Sequence, residues 1–224
     1  MKKLTYLVRC LESQFKRDRY RCPNCGSTQG RVIDRKYLVT QLRRCQACKL
    51  LFRTPTEDPS ANESYYENEY TNGFAGVMPT KSTLDEMIKS NFERTAKSYS
   101  YYIDVLAQLG LTPGHSVFDY GCSWGYGSYQ LAMAGFQVTS FEVAPTRRRY
   151  AREKLAVATV DHMESAAVEL AGKFDCFFSS HVLEHVPRPS QSISHAKKLL
   201  KPDGIFVCFT PNGGGKHRAA SPLW

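Results

Sequence analysis

One stretch of the sequence, Ser116–Gly127 (S-V-F-D-Y-G-C-S-W-G-Y-G), limits the fold more than any other. It begins as a short apolar strand that ends at Asp119, and three glycines follow between positions 121 and 127. A helical run, 128–134, comes directly after them. A glycine-rich turn between a strand and a helix lets backbone N–H groups approach a ligand. The stretch therefore predicts a nucleotide-cofactor loop in an α/β fold.

The rest of the chain after Pro113 alternates between strand-like and helix-like segments. Gly135 is placed to end the first helix, Pro145 to begin the second and Pro189 to begin the fourth. Such alternation predicts a parallel sheet with helices on both faces. The strands are expected near 116–120, 136–142, 156–160, 174–179 and 204–210.

Polar residues follow four of these strands, where an open parallel sheet binds its ligands. Asp119 ends the first strand, Glu142 the second and Asp161 the third, while Ser179, Ser180 and His181 end the fourth. A single acid after a strand is often only a helix cap. Three acids at successive strand ends, beside a glycine loop, favour a cofactor site.

The loop differs from the dinucleotide fingerprint G-x-G-x-x-G of dehydrogenases. It has an acid two residues before the first glycine, in the order Asp119, Gly121, Ser123, Gly125, Gly127. This resembles motif I of the class I S-adenosylmethionine-dependent methyltransferases, D-x-G-x-G-x-G. The resemblance continues in Val160-Asp161-His162, in the V-L-E-H-V-P-R-P segment up to Pro189, and in Leu199–Asn212.

The resemblance implies a Rossmann-like, mostly parallel sheet in the order 3-2-1-4-5, and S-adenosylmethionine as cofactor. Asp119 would anchor its ammonium group, Glu142 the ribose hydroxyls, and Asp161 the adenine amino group. The remaining implied contacts are the backbone of Gly121, Ser123 and Gly125 and the side chain of Ser179 around the methionine part, and His162 beside the adenine. Ser123 replaces the middle glycine of the motif, which the backbone tolerates if φ is negative there.

Methyl transfer requires an acceptor placed in line with the methyl group, and a base with a pKa near the working pH suits a histidine. His181 and His185 follow the fourth strand and are the candidate catalytic residues. His185 belongs to the family's recurrent E-H pair, so a structural role is the alternative for it.

The front of the chain carries two C-x-x-C pairs, Cys22 with Cys25 and Cys45 with Cys48. Two such turns can direct four thiolates at one centre, and a site with four cysteine ligands has no open position. We therefore expect a structural zinc, with a short hairpin over 31–44 between the pairs. A redox dithiol is the alternative, although it needs no partner pair.

Many bacterial methyltransferases of this class begin with a similar layout, C-P-x-C-G-S, C-x-x-C-x-L-x-F and Y-Y-x-x-x-Y. Cys22–Ser27, Cys45–Phe52 and Tyr65–Tyr70 fit it. Such proteins often modify sugars or other small metabolites, which the resemblance implies for this chain.

The domains expected from these features are a zinc-ribbon-like domain at 1–56, a proline-rich linker or lid segment at 57–84, and the cofactor-binding domain at 85–224. Thr83 and Glu86 fit a capping box, and apolar residues recur at helical spacing up to Leu106. The run of basic residues at 147–154 is expected to be a solvated helix face.

The net charge of +9 is concentrated at the front of the chain. Positions 1–53 hold fourteen Lys or Arg and three acidic residues. This excess is typical of nucleic-acid contact, or it offsets a tetrathiolate metal site. No apolar run reaches the ~18 residues of a membrane span, and Arg9 and Glu12 interrupt the first apolar stretch. We therefore expect no membrane association and a cytoplasmic location.

Only fourteen residues follow Thr210, fewer than the family's two further strands require. An uncovered fifth strand is an aggregation hazard, so a homodimer, another partner, the N-terminal segment or a longer natural chain is expected to cover it.

Three functions are consistent with the sequence. The first is methyl transfer from S-adenosylmethionine to a small molecule, with a sugar or another metabolite as acceptor. The second is RNA methylation, with the basic ribbon gripping phosphates. The third is a non-catalytic binding module that keeps the fold alone.

Overall fold

The computed structural model of the protein describes residues 17–36, 39–56 and 77–213. They fall into two compact units. The first holds 17–36, 39–56, 184–192 and 210–213, and the second holds 77–183 and 193–209. The domain boundaries at 56 and 84 stay predictions. The tyrosines at 65–70 and most of the predicted linker lie outside the described residues.

The first unit contains a three-stranded antiparallel sheet in sequence order, preceded by a single 3-10 turn at Arg17–Tyr20. Its strands are β1 (Gly30–Lys36), β2 (Thr40–Cys45) and β3 (Leu51–Thr54). The hairpin predicted between the cysteine pairs is thus confirmed. Its small core consists of Cys22, Cys45 and Phe52. A core of this size supplies little hydrophobic stabilisation. Units this small usually need an additional cross-link, such as a bound metal ion, to stay folded.

The second unit is built on a five-stranded parallel sheet, β6-β5-β4-β7-β8. The strands are β4 (Ser116–Tyr120), β5 (Gln137–Phe141), β6 (Thr159–Val160), β7 (Phe174–Ser180) and β8 (Leu200–Phe209). Numbered from β4, this order is 3-2-1-4-5, which confirms the predicted Rossmann-like fold. In the described part of the chain, β8 is an end strand of the sheet.

Six helices belong to the described residues, and none has both the length and the apolar composition that a bilayer crossing requires. They are α1 (Lys81–Lys89), α2 (Ser100–Gln108), α3 (Tyr126–Met133), α4 (Pro145–Leu155), α5 (Met163–Glu169) and α6 (Pro189–Leu199). Pro145 and Pro189 begin α4 and α6 as expected. Gly135 lies just after α3 with a φ of +94°, which also confirms its predicted role.

The central strands are buried on both faces because helices cover the sheet on each side. Alternate residues of a strand point to opposite faces. Val117, Cys176 and Phe178 therefore enter one core, together with Leu106 and Leu131. On the opposite face the rings of the aromatic residues pack on one another, with Phe118 stacked on Phe177 at 5.5 Å.

The apolar residues at helical spacing between Thr83 and Leu106 do not form one continuous helix. Helix α1 begins earlier, with Thr80 as the N-cap residue that accepts from the Thr83 backbone N–H, and it ends at Lys89. Asn91, Phe92 and Arg94 then adopt positive φ, and a series of turns separates α1 from α2. The Phe92 side chain in these turns is completely buried, with its ring 6.3 Å from that of Trp124. Burial of this aromatic ring competes successfully with continued helix.

Candidate functional site: the strand ends and the cysteine cluster

The loop after β4 is fixed to the end of the neighbouring strand. The backbone N–H groups of Gly121 and Cys122 both donate to the carbonyl oxygen of Phe141, at 2.8 and 3.0 Å. Gly121 has a φ of +91° and Gly125 one of +90°, values that favour glycine. The loop therefore brings the carboxyl ends of β4 and β5 together, as predicted.

The glycines of the loop have a packing requirement that the sequence does not reveal. A Cβ atom added to Gly121 would lie 2.3 Å from Val182 Cγ2, and one added to Gly125 would lie 2.7 Å from Ala151 Cβ. Side chains of this protein fill the space beside both residues. Substitution would therefore disturb the fold as well as a ligand.

Ser123 differs from the expectation of negative φ. Its φ is +54°, in the left-handed region, which costs a non-glycine residue about 1 kcal/mol. Two contacts hold it there. Its N–H donates to Glu142 Oε2 at 2.9 Å, and its hydroxyl accepts from Arg147 Nη1 at 3.4 Å.

Glu142 is buried at the end of β5, and backbone donors bind both of its carboxylate oxygens. Ser123 N–H binds Oε2, and Ala144 N–H binds Oε1 at 2.9 Å. Burial raises the pKa of Glu142, while these N–H groups and Arg147 act in the opposite direction. A carboxylate has about four lone-pair sites, so it can accept two more hydrogen bonds from a ligand.

Asp119 is buried at the end of β4 and belongs to a chain of hydroxyl groups. Ser140 Oγ donates to Ser128 Oγ at 2.8 Å, and Ser128 Oγ donates to Asp119 Oδ2 at 2.5 Å. Burial raises the pKa of Asp119 to about 6, opposed by the Ser128 hydrogen bond and reinforced by Glu142. Two buried acids on adjacent strands thus form a site that favours a cationic ligand.

Asp161 lies exposed after β6 and is paired with two arginines of α4. Arg148 Nε donates to its Oδ1 at 2.9 Å, and Arg152 Nη2 donates to the same oxygen. These arginines lower the pKa of Asp161. The expectation that the basic run at 147–154 is simply a solvated face is therefore wrong, since Arg147 is also buried.

Ser179 is a fully buried residue at the end of β7. Its hydroxyl has no hydrogen-bond partner among the described residues. A buried polar atom without a partner costs about 1–3 kcal/mol, so a native protein usually supplies one. The indole N–H of Trp124 is likewise buried and without a partner in the described ranges.

The three histidines predicted for this region have different settings. His162 is the exposed N-cap residue of α5. His181 is exposed, with a φ of +56°, and its N–H donates to the Phe209 carbonyl oxygen at 2.8 Å, which joins it to the end of β8. His185 is exposed in the other compact unit, with Nε2 at 4.0 Å from Glu184 Oε1.

The sequence interpretation missed several residues of this site: Ser128, Ser140, Trp124 and Arg147. Ser140 could have been found, because a hydroxyl two residues before a strand-end acid sits on the same side of the strand. The burial of Arg147 has no such signal. It depends on a contact with Ser123, which lies 24 positions away.

The second candidate site is formed by the four predicted cysteines. Their sulfur atoms all lie within 4.8 Å of one another. Cys22 Sγ lies 3.5 Å from Cys48 Sγ, and Cys25 Sγ lies 3.6 Å from Cys45 Sγ. Zinc–sulfur bonds of about 2.3 Å in a tetrahedron place sulfurs about 3.8 Å apart. The donor set therefore fits a tetrahedral metal ion.

The two cysteine turns have the same backbone construction. Gly26 N–H donates to Cys22 O at 2.9 Å, and Lys49 N–H donates to Cys45 O at 3.1 Å. Gly26 and Lys49 both adopt positive φ, +71° and +64°. The backbone N–H of Leu50 lowers the pKa of Cys48 to about 6, and burial raises the pKa of Cys22 to about 12.

Comparison with known proteins agrees with the fold and the loop. Residues 118–208 match the model of a family described as a methyltransferase domain. This match confirms the resemblance of this part of the chain to S-adenosylmethionine-dependent methyltransferases.

Curated relatives of this part are ubiquinone biosynthesis O-methyltransferases. The protein from Xanthomonas campestris pv. campestris is 34% identical over 116 residues, which are 49% of this chain and 48% of the relative. That from Cereibacter sphaeroides is 32% identical over 138 residues, 59% of this chain and 52% of the relative. The chain thus spans about half the length of these relatives.

Among solved structures, phosphoethanolamine N-methyltransferase 2 of Haemonchus contortus, in complex with S-adenosyl-L-methionine, is similar. It is 20% identical, with a TM-score of 0.41 over 55% of this chain and 32% of that chain.

Proposed function

We propose that this chain transfers the methyl group of S-adenosylmethionine to an oxygen atom of a small-molecule acceptor. The observation that carries the proposal is the pair of buried carboxylates, Asp119 and Glu142, at adjacent strand ends within the matched domain. The cofactor has a cationic sulfonium, an ammonium group and two ribose hydroxyls. Buried acids complement these groups, because cations and hydroxyl donors replace the water that the carboxylates lost.

Each residue of the site would bind a different group of the cofactor, as the resemblance implies. Asp119 would hold the ammonium end, and Glu142 would accept from the ribose hydroxyls with its remaining lone pairs. Asp161 would accept from the adenine amino group beside His162. The orphaned hydroxyl of Ser179 supports its place in the methionine pocket, next to the backbone of Gly121, Ser123 and Gly125.

When bound, the cofactor supplies a methyl carbon that its sulfonium makes electrophilic. The protein's own contribution is to hold the acceptor in line with that carbon and to remove a proton from the acceptor hydroxyl. His181 is our candidate for that base. Its backbone N–H anchors it beside the ends of β7 and β8, and the residue is exposed. His185 is the second candidate.

A titration by calorimetry tests the cofactor proposal. We expect S-adenosylmethionine to bind the wild-type chain with one site per molecule, and Glu142→Gln to weaken binding because a charged acceptor becomes a neutral one. Glu153→Gln, an exposed position of α4, is the matched control and should bind normally. Wild-type protein that fails to bind at millimolar cofactor would refute the proposal.

The acceptor is the finer part of the proposal. The relatives named for ubiquinone biosynthesis point to a hydroxyl acceptor, and the layout of the N-terminal cysteines points to a sugar or other metabolite. Release of S-adenosylhomocysteine, measured with a panel of phenols and nucleotide sugars, shows whether the acceptor hydroxyl lies on an aromatic ring or on a sugar. Release with neither, despite tight cofactor binding, would favour the non-catalytic module.

We also propose that Cys22, Cys25, Cys45 and Cys48 hold a structural zinc ion. Four sulfur ligands leave no position for a substrate, so the metal would stabilise the small sheet and take no part in methyl transfer. Metal analysis should give one zinc per chain, and Cys25→Ser should lose it. Cys208→Ser, outside the cluster, is the control. Retention of zinc by the Cys25 variant would contradict the assignment.

A further inference from the structure

One face of the three-stranded sheet gathers arginines from all of its strands. Arg31 of β1 lies directly opposite Arg44 of β2, and Arg53 of β3 lies opposite Leu42, two residues from Arg44 on the same side of β2. Side chains directly opposite have Cβ atoms about 5 Å apart, and diagonal neighbours about 7–8 Å. We call Arg31, Arg44 and Arg53 the arginine face.

The arginine face is unfavourable for the sheet alone. Like charges directly opposite one another destabilise an antiparallel pair. All three residues are exposed, and neither Arg31 nor Arg44 forms an ion pair with any residue of the described ranges. Asp34 is the only acidic residue that the described strands place on this face. An anionic ligand bound to the arginine face would neutralise these charges and relieve their repulsion.

A zinc ion bound by the four cysteines does not account for the positive charge of this part of the chain. Positions 17–56 hold ten Lys or Arg and two Asp. Four thiolates on a zinc ion carry about −2, which leaves an excess of about six positive charges. The share of arginine among the basic residues also differs between the two parts of the chain. Eight of these ten residues are arginine, against six of the fourteen Lys and Arg at 77–213.

The excess of arginine over lysine indicates which kind of anion this surface binds best. The planar guanidinium binds phosphate oxygens with two parallel hydrogen bonds, whereas lysine acts as a point charge. The Cβ atoms of neighbouring residues of the arginine face lie roughly 5–8 Å apart, so a chain of repeated phosphates can contact more than one guanidinium group. An acidic protein partner would need an apolar anchor at the centre of its interface. Leu42, at the middle of this face, is buried, and Leu51, opposite Arg44, is only partly exposed. The face therefore presents little apolar surface to such an anchor.

We propose that the arginine face binds the phosphodiester backbone of a nucleic acid. Binding would be independent of base sequence, because the contacts are to phosphates. The proposal does not depend on methyl transfer, and it leaves open whether the nucleic acid is also methylated. RNA and DNA share the backbone chemistry, so the experiment includes both.

The test measures binding of fluorescent single-stranded RNA and DNA, each about 20 nucleotides long, to the whole chain between about 50 and 300 mM salt. We expect affinity to fall steeply with salt. In Arg31→Gln/Arg44→Gln, the slope of log affinity against log salt should decrease by about 1.4, since each lost phosphate contact removes about 0.7. Arg149→Gln/Lys154→Gln, an equal charge change on exposed positions of α4, is the control and should keep the wild-type slope.

Zinc content and the unfolding midpoint establish that each variant is folded. Equal binding of RNA and DNA, or a preference for either, supports the proposal and identifies the source of the phosphates. An unchanged slope in the Arg31/Arg44 variant would overturn it. So would an equal loss in the control variant, or binding of polyglutamate as tight as that of RNA.

Discussion

The ring of Tyr99 occupies the space that a side chain at Gly127 would fill. A Cβ atom at position 127 would lie 2.2 Å from Tyr99 Cζ and 2.5 Å from its hydroxyl oxygen. The Tyr99 backbone N–H also donates to Gln130 Oε1 at 2.8 Å, one turn further along α3. The last glycine of the loop therefore seats the segment before α2 against the first turn of α3.

We expect Gly127→Ala to lower the free energy of unfolding by about 1–3 kcal/mol, because the added methyl group overpacks a buried contact. In a Tyr99→Leu background the ring is gone, and alanine should become neutral or stabilising, since it is a better helix former than glycine. Urea unfolding of the four proteins in this double-mutant cycle measures the coupling. Additive effects of the two substitutions would show that the Tyr99 ring is not the reason why position 127 requires glycine.

The buried carboxyl of Asp119 predicts a conflict between stability and cofactor binding. Burial raises its pKa from 3.8 to about 6, so the folded state holds the proton more tightly than the unfolded state. Its contribution to stability is present below about pH 4 and is lost as the pH rises to about 6. Above that, the charged form costs on the order of 3 kcal/mol.

We therefore expect Asp119→Asn to be more stable than the wild type at about pH 7.5 and no more stable at about pH 4, and to bind S-adenosylmethionine weakly or not at all. Unfolding at both pH values and calorimetry at the higher one provide the measurements. Asp104→Asn, an exposed position of α2, should change neither property. If Asp119→Asn instead lowers stability at the higher pH, the carboxylate has a stabilising partner.

The sequence predicts those parts of the protein that depend on local spacing. Runs of strand-forming residues that end in an acid place Asp119 and Glu142 correctly, at the ends of β4 and β5. The C-x-x-C spacing likewise predicts the sulfur cluster. The break before Phe92 is not predictable in this way, because apolar residues continue at helical spacing across it. The turn depends on the burial of Phe92 against Trp124, which lies 32 positions away in the sequence.

The left-handed conformation of Ser123 was missed for a similar reason. A serine is compatible with several backbone conformations, and its φ is set by a hydrogen bond to Glu142, 19 positions away. The structure thus corrects local conformation where distant residues determine it.

Replacement of Ser123 by glycine tests this strain. Glycine adopts positive φ without steric cost, so we expect Ser123→Gly to raise the free energy of unfolding by about 0.5–1 kcal/mol. The same change at Ser194, an exposed position within α6, should lower it by a similar amount, because glycine is a poor helix former. Opposite signs for one chemical change, measured by urea unfolding, are the expected result. A loss of stability at both positions would mean that the Ser123 hydroxyl contributes more than its backbone strain costs.

The last prediction concerns the proposed base, His181. Its positive φ limits the choice of substitution, and asparagine tolerates this conformation better than most residues. If the ring removes the acceptor proton, His181→Asn should lower turnover by a factor of about 10²–10⁴ while the dissociation constant of the cofactor stays the same. The acidic limb of the pH–rate profile, which reports the base in its deprotonated form, should disappear. His185→Asn gives the comparison, since it removes an equivalent ring from the second candidate position. Normal turnover after His181→Asn, with a normal pH profile, would exclude His181 as the base, and weakened cofactor binding would assign it a role in holding the strand ends instead.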